Sequence, residues 1–330
     1  MKPLPTLRTF LQEEGVQGIF IKGDSSIRYF TGFTGGESLL YVDALRAVLI
    51  TDSRYILQAQ QQAPECEILE HQHGLFSVVD QVRPAWRLAL DGDYFSYTEA
   101  TALQKALPKA SFKNVNLVFL RAVKSPEEQR KMFKAAAIAD DAFHELIPHI
   151  KVGRRESELA AELEYNMRKR GAQKTSFDTI VASGVRSALP HGVASNKVIE
   201  EGDFVTFDFG CIYDGYCSDM TRTVVMGKAA PWQKEIYEIV LAANELGEEV
   251  LFPGKTGIEV DQAVRDLSRP RGMVPTSVMD WAMVWVLIST KSRTSIKAIR
   301  IRFLWVPLVT VEPGIYLPGR AVSALKIPSL

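Results

Sequence analysis

The chain has 330 residues, of which 46% are hydrophobic and 24% are charged, so it is long enough for two domains with a sizeable core. Its 39 basic and 39 acidic residues give no indication of a nucleic-acid partner. Three widely spaced cysteines argue against a disulfide framework, and the N-terminus turns polar too early for a signal peptide. No apolar run is long enough to span a bilayer. We therefore predict a cytoplasmic protein that binds neither nucleic acid nor membrane.

The first part of the chain alternates between helix and strand patterns. Residues 5–15 and 54–63 have the composition of helices. Residues 16–21 and 46–51 are short, β-branched and bounded by Gly or Asp, as buried strands are. This alternation predicts an α/β domain, and we expect it to end near Ala122.

A second domain is predicted to begin with a capped helix. Ser125 is a good helix cap, Pro126 suits the first turn, and Glu128 completes a capping box. Further helices are expected over 155–170, 232–252 and 256–267, with strands at 178–184 and 203–210 between them. The second domain is therefore predicted to be α+β.

A hairpin is predicted over residues 204–225, where two β-rich runs flank an Asp-Gly pair at 214–215. With that pair in the turn, Asp208 faces Thr221 across the two strands. Asp219 lies two residues from Thr221 and therefore on the same face. The two carboxylates are then diagonal neighbours, ~7–8 Å apart at the backbone and within side-chain reach of a shared centre.

Two carboxylates on one face repel each other unless a cation lies between them. Arg222 is expected on the opposite face, where it cannot easily neutralise them. A divalent metal is the simplest candidate, because oxygen ligands suit Mn²⁺, Mg²⁺ or Zn²⁺; the alternative is an exposed face with two solvated acids. Glu312 ends a β-branched run before a Pro-Gly turn, and His191 lies on a Pro- and Gly-containing loop. Either residue could equally be an ordinary surface residue.

Five segments carry a family resemblance. They are SALPHGVAS at 187–195, EEGDFVTFDFGCIYDGYCSDMTRT at 200–223, VTVEPGIYLPGR at 309–320, IRYFTGFTG at 27–35 and LITDSRY at 49–55. The first three resemble the pita-bread metallopeptidases, in the branch of Xaa-Pro dipeptidases (prolidases) and aminopeptidase P. The last two are similar to the creatinase-type N-terminal domain of that family.

The resemblance implies an α/β creatinase-type domain over 1–122 and an α+β pita-bread catalytic domain over 123–330. It implies a homodimeric metallo-exopeptidase that hydrolyses the Xaa-Pro bonds of short proline-containing peptides with two divalent metal ions, Mn²⁺ foremost and Co²⁺ or Zn²⁺ as alternatives. The sequence does not separate the dipeptidase from the aminopeptidase. By position, the resemblance implies that Asp208, Asp219 and Glu312 are three of the family's five metal ligands, with Asp219 bridging both ions. It also implies that His191 is the active-site histidine near the scissile bond.

Two segments of the family pattern are absent, a glycine- and histidine-rich one and a final one ending in Glu-Asp. They should fall within residues 268–309 and after residue 320. The composition of 268–309 is unusual, because it holds seven basic residues, one acidic residue and three of the five tryptophans. A shifted reading frame joins the third base of each codon to the first two bases of the next codon. In that frame the codons of Met279 and Asp280 must encode Gly, and those of Asp280 and Trp281 must encode Leu. Permitted codons then allow GHGLGHGVGLDIHE over 277–291, and the same offset allows GGVRIEDSVL over 320–330. We therefore predict that 268–309 and 321–330 are out of frame, which disrupts the C-terminal part and removes two metal ligands.

Two other functions stay open at this point. A chain that lacks two ligands could be an inactive, non-catalytic pita-bread protein. Creatinase-like C–N hydrolysis without a metal is a further possibility on the same fold, although the retained Asp208, Asp219 and Glu312 argue against it.

Overall fold

The structure is a computed structural model that describes residues 3–82, 84–268, 282–286, 309–317, 321–324 and 327–329. The chain divides into two units, Met1–Arg121 and Ala122–Leu330. Within the described ranges no helix is both long enough and apolar enough to cross a membrane.

The first unit builds one mixed sheet with helices on both of its faces. Its elements are α1 (Pro3–Glu13), β1 (Gly18–Ile21), α2 (Asp24–Thr31), β2 (Ser38–Asp43), β3 (Ala47–Thr51), α3 (Ile56–Gln62), β4 (Glu67–Glu70), β5 (Arg87–Asp91), α4 (Tyr97–Ala106) and β6 (Ser111–Val115). The strand order is β4-β3-β2-β1-β5-β6, with β1 antiparallel to β2 and parallel to β5. The predicted elements α1, β1, β3 and α3 are confirmed.

Strand β1 is apolar throughout because it lies in the middle of this sheet. Ile19 and Ile21 pack in a core that includes Leu7 of α1. Phe20 points to the other face and packs against Tyr41, with the ring centroids 5.1 Å apart. Covering both faces of a sheet in this way is the α/β arrangement that the sequence predicts.

A buried carboxylate lies at the end of β5 in this unit. Asp91 is 1% exposed, and Ser26 Oγ donates a hydrogen bond to its Oδ2 at 3.0 Å. Burial raises the pKa of Asp91 from 3.8 to about 6, while the Ser26 hydrogen bond and the charge of Arg121 act in the opposite direction. Between these two pKa values the folded chain binds more protons than the unfolded chain.

The free energy of unfolding of the first unit is therefore expected to fall as the pH rises from about 4 to about 7. The Asp91 contribution to this fall is on the order of 3 kcal/mol, because one pKa unit corresponds to about 1.4 kcal/mol. Asp91→Asn keeps the acceptor for Ser26 and removes the titration. Urea denaturation of the wild-type and Asp91→Asn proteins across this pH range measures the difference in the free energy of unfolding. Hydrogen exchange in β1 and β5 measures the same difference within the first unit. Identical pH profiles for the two proteins would contradict the expectation.

The second unit holds four long helices and several small antiparallel sheets among its described residues. Its elements are α5 (Pro126–Leu146), α6 (Glu156–Lys169), β7 (Lys174–Thr175), β8 (Ile180–Ser183), β9 (Phe204–Phe209), β10 (Cys211–Tyr213), β11 (Tyr216–Cys217), β12 (Met220–Val225), α7 (Pro231–Val250), α8 (Gly257–Ser268), β13 (Ala282–Val286), β14 (Val309–Leu317), β15 (Ala321–Ala324) and β16 (Ile327–Ser329). The sheets have the orders β12-β9-β8 and β11-β10-β7, and β14 pairs with β13, β15 and β16.

The helix starts in this unit follow the capping signals. Ser125 Oγ accepts a hydrogen bond from the backbone N of Glu128 at 3.3 Å, and the Glu128 carboxylate accepts one from the backbone N of Ser125 at 2.8 Å. Thr256 and Glu259 form the same reciprocal pair before α8. Both predicted capping boxes are confirmed, and the second unit is α+β as predicted.

The main core of this unit lies between α5, α6 and the sheet of β8, β9 and β12. Phe143 of α5 packs against Phe207 and Phe209 of β9, with ring centroids 5.3 and 5.4 Å away. The face of β9 with Phe207 and Phe209 is therefore committed to this core, and Thr206 and Asp208 lie on the opposite face. Most of 268–309 and part of 321–330 lie outside the described residues, so the frame shift stays a prediction.

Candidate functional site

Strands β9 and β12 pair in the register that the Asp-Gly turn predicts. Asp208 lies opposite Thr221, and next to the turn Tyr213 lies opposite Tyr216. The two turn residues have positive φ values of 43° and 75°, as such a tight turn requires. This part of the site geometry is set by the local sequence alone.

The ladder is interrupted between the two carboxylates. Gly210 and residues 218–219 belong to no strand, and a Cβ atom on Gly210 would lie 2.0 Å from the carbonyl oxygen of Ser218. Only glycine permits this close approach. The hairpin therefore consists of two short ladders, β9–β12 and β10–β11, and Asp219 lies at their junction, directly before β12.

The face of β9 and β12 that carries Asp208 is polar. Thr206 and Thr223 pair across it, with their Oγ1 atoms 3.2 Å apart, and Thr221 is buried. Asp208 and Asp219 are half-buried, and one oxygen of each, Oδ1, is shielded from solvent. Because removing an anionic oxygen from water is costly, this face favours a bound cation.

Arg222 lies on the other face and is paired there. Its Nη2 donates to Asp140 Oδ1 of α5 at 3.2 Å. The prediction that Arg222 points away from the two carboxylates is confirmed.

Glu312 lies on a different sheet, in the middle of β14. The predicted Pro-Gly turn directly after it is wrong, because residues 313 and 314 pair with neighbouring strands and continue β14. Glu312 is half-buried, and its Oε1 accepts a hydrogen bond from Thr310 Oγ1. Asn244 of α7 holds the strand by donating from Nδ2 to the carbonyl oxygen of Val311 at 2.9 Å. Among the described residues, no three His, Cys, Asp or Glu side chains are grouped so that they could hold a metal. The assignment of Asp208, Asp219 and Glu312 as ligands thus stays a prediction.

His191 lies on an exposed loop that is attached to the sheet of Asp208. Two residues further on, Val193 forms a β-bridge with Ile180 of β8. Ile180 also pairs with Asp208 of β9. The row Val193, Ile180, Asp208 therefore connects the histidine loop with the polar face.

Glu156, in the first turn of α6, holds both ends of this loop and was missed by the sequence analysis. Its carboxylate is fully buried and accepts hydrogen bonds from Ser183, Arg186 and Ser195. Glutamate is common in the first turn of helices because it interacts favourably with the helix dipole. No sequence signal separates this buried glutamate from such an exposed one.

The two units match two family models. The Creatinase/Prolidase N-terminal domain matches residues 3–122, and metallopeptidase family M24 matches residues 130–301, just over half of the chain. This chain belongs to metallopeptidase family M24. The predicted fold, a creatinase-type domain followed by a pita-bread catalytic domain, is confirmed.

Curated and solved M24 relatives cover nearly the whole chain. The Xaa-Pro dipeptidase of Pyrococcus furiosus is 34% identical over 96% of this chain and 90% of its own length. The solved Xaa-Pro dipeptidase from Bacillus anthracis has a TM-score of 0.92 and 39% identity, and the match covers 99% of this chain and 94% of that one. The solved X-Pro aminopeptidase from Thermotoga maritima has a TM-score of 0.88 and 34% identity, with 98% and 93% covered.

Proposed function

We propose that this M24 protein is a metal-dependent exopeptidase that hydrolyses the Xaa-Pro bonds of short peptides. The observation that carries the proposal is the polar face of β9 and β12, where the observed register places Asp208 beside the position of Asp219. The names of the relatives, Xaa-Pro dipeptidase and X-Pro aminopeptidase, support the substrate class.

The two carboxylates of this face, together with Glu312 of β14, suit a hard or borderline divalent cation. Asp208, Asp219 and Glu312 offer only carboxylate oxygens, which favour Mn²⁺ and also accept Zn²⁺ or Co²⁺. We propose that in a chain with the reading frame restored these residues would hold two such ions together with the ligands of the restored segments, with Asp219 shared between the ions. When bound, such ions activate a water molecule and polarise the carbonyl group that is attacked.

His191 is proposed to contact the substrate near the scissile bond. Its side chain is exposed, whereas the backbone of the loop is fixed to β8 through Val193. An imidazole in this position can meet a peptide from solvent without any movement of the sheet. It can donate or accept a hydrogen bond, which suits the task of orienting a peptide group.

A second candidate, an inactive pita-bread protein, is favoured by one observation, the unusual composition of residues 268–309. A chain translated out of frame there would lack the histidine ligand that the family supplies from this part. It would keep the fold of the described residues without a complete metal centre. Measuring bound metal separates the two candidates.

We also infer a cytoplasmic homodimer with domains over 1–122 and 123–330. Free Cys66, Cys211 and Cys217 suit a reducing compartment. The boundary between the two compact units, which falls between residues 121 and 122 of the chain, supports this division into domains. Size-exclusion chromatography with light scattering measures the oligomeric state.

The chain with its reading frame restored over 268–309 and 321–330, loaded with Mn²⁺, is expected to cleave Xaa-Pro peptides about 100-fold faster than matched Xaa-Ala peptides, because a pocket that fits the proline ring binds the smaller side chain less well. A chelator should abolish both rates. Comparison of kcat/KM on an Xaa-Pro dipeptide and on a longer peptide with the same first two residues separates dipeptidase from aminopeptidase. Equal rates on the Xaa-Pro and Xaa-Ala peptides would indicate a general aminopeptidase instead.

A further inference from the structure

The carboxylate of Glu156 lies between the two ends of the loop that carries His191. Its Oε1 accepts hydrogen bonds from the backbone N and the Oγ of Ser183, at 2.7 and 2.8 Å. Its Oε2 accepts hydrogen bonds from the backbone N and the Oγ of Ser195, at 3.1 and 2.7 Å. The side chain is 0% exposed, and a buried carboxylate is stable only where donors compensate its charge in this way.

Arg186 ties the same carboxylate to the middle of the loop. Its Nη1 donates to Oε2 of Glu156, and its Nη2 donates to the carbonyl oxygen of Val193 at 3.0 Å. Hydrogen bonds between charged groups are stronger than those between neutral groups. The Glu156–Arg186 pair therefore restrains the backbone two residues after His191 as well as the two ends of the loop.

Several other hydrogen bonds of the loop are local. Leu189 N donates to the carbonyl oxygen of Arg186 at 2.9 Å, Gly192 N to that of Leu189 at 3.1 Å, and Val193 N to that of His191 at 2.9 Å. These bonds shape the turns but do not connect the loop to the rest of the domain. The Val193–Ile180 bridge and the hydrogen bond from Ser157 N to Ser195 O, at 2.9 Å, each connect one point of the loop to the domain. Glu156 connects both of its ends at once from α6, a helix whose Leu159 and Leu163 lie in the core.

We propose that Glu156 is a positioning residue that clamps segment 183–195 and so holds His191 where it meets the substrate. Glu156 itself is buried and acts only through the loop. This inference rests on the proposed role of His191 in Xaa-Pro hydrolysis and deepens it, because it assigns the element that fixes the histidine.

The first test is hydrogen exchange in the full chain with Glu156→Gln. The glutamine amide keeps the size of the side chain and one acceptor oxygen, but its NH₂ group replaces the other oxygen. An NH₂ group in place of Oε1 would face the donors of Ser183, and one in place of Oε2 would face the donors of Ser195 and Arg186. Exchange over 183–196 is expected to become about tenfold faster or more, while exchange in α7 stays unchanged. Glu158→Gln is the matched control, because Glu158 lies on the same turn, is exposed and bonds only to Arg154 and Arg155.

The second test is a double-mutant cycle with His191→Ala in the frame-restored chain loaded with Mn²⁺. Glu156→Gln is expected to lower kcat/KM on an Xaa-Pro dipeptide about tenfold where His191 is present and to have no further effect once His191 is absent. A merely structural role would lower kcat/KM in both backgrounds and accelerate exchange throughout the second unit. That result, or unchanged exchange over 183–196, would overturn the proposal.

A failure of the proposed function is distinguishable from a failure of this inference. If the frame-restored chain, loaded with Mn²⁺, cleaves no Xaa-Pro peptide, the proposed function fails. The exchange experiment needs no activity, so it still supports or overturns the clamp by whether the acceleration is confined to 183–196.

Discussion

Restoring the reading frame over 268–309 and 321–330 is expected to change the chain from weak or no stoichiometric metal binding to binding about two divalent ions. As it stands, the chain offers Asp208, Asp219 and Glu312 as ligand candidates, and the described residues form no cluster of three such groups. The restored segments would add a histidine and a glutamate, the two ligand types missing from the family pattern. Metal analysis after dialysis against Mn²⁺ and then against metal-free buffer measures the stoichiometry.

Two partial restorations serve as matched controls for this experiment. A chain restored only over 268–309 regains the histidine segment, and a chain restored only over 321–330 regains the glutamate segment. Each is expected to bind less metal than the fully restored chain, because each still lacks one ligand. Tight binding of two ions by the unaltered chain would show that the frame shift is not the correct explanation of these segments.

Asp219→Asn in the restored chain is expected to lose bound metal and activity together. A ligand shared by two ions affects both when it is replaced, and an amide oxygen carries no charge to compensate them. The expected loss in kcat/KM on an Xaa-Pro dipeptide is at least ~100-fold, above the effect of replacing residues that only support metal ligands. Metal content and kinetics measured on the same preparation test whether the two losses coincide.

Asp214→Asn is the matched control on the same hairpin. Asp214 lies in the turn with a φ of 43°, which asparagine also tolerates, and its carboxylate pairs with Lys131 at 2.9 Å on the surface. The exposed ion pair contributes little to stability, so this variant is expected to keep both metal and rate. Full metal content in Asp219→Asn would exclude Asp219 as the shared ligand.

The features that were predicted correctly depend on neighbours close in sequence. A capping box needs residues three positions apart, as Ser125 and Glu128 are, and a tight turn needs only its own two residues. Once the turn is fixed, the register of β9 and β12 follows, and Asp208 must face Thr221. Strand β1 was predictable because burial on both faces leaves a continuous apolar run.

Four strands of the first sheet, β2, β4, β5 and β6, were not among the predicted elements, and two of these lie at its edges. β4 and β6 end the strand order, and most of their side chains are exposed or half-buried. An edge strand needs no apolar run, since only its backbone must pair. β4 and β6 form strands because their backbones pair with β3 and β5, which lie alongside them in the folded chain.

The sequence by itself determined the capped starts of α5 and α8, the hairpin register and the family to which the chain belongs. Tertiary structure alone decided the burial of Glu156, because its partner Ser195 is 39 residues away and the first-turn position is equally favourable for an exposed glutamate. It also decided the break beside Asp219, which depends on the close approach of Gly210 to Ser218. Local patterns report only the groups within a few residues, whereas the environment of a charge is set by every element that packs around it.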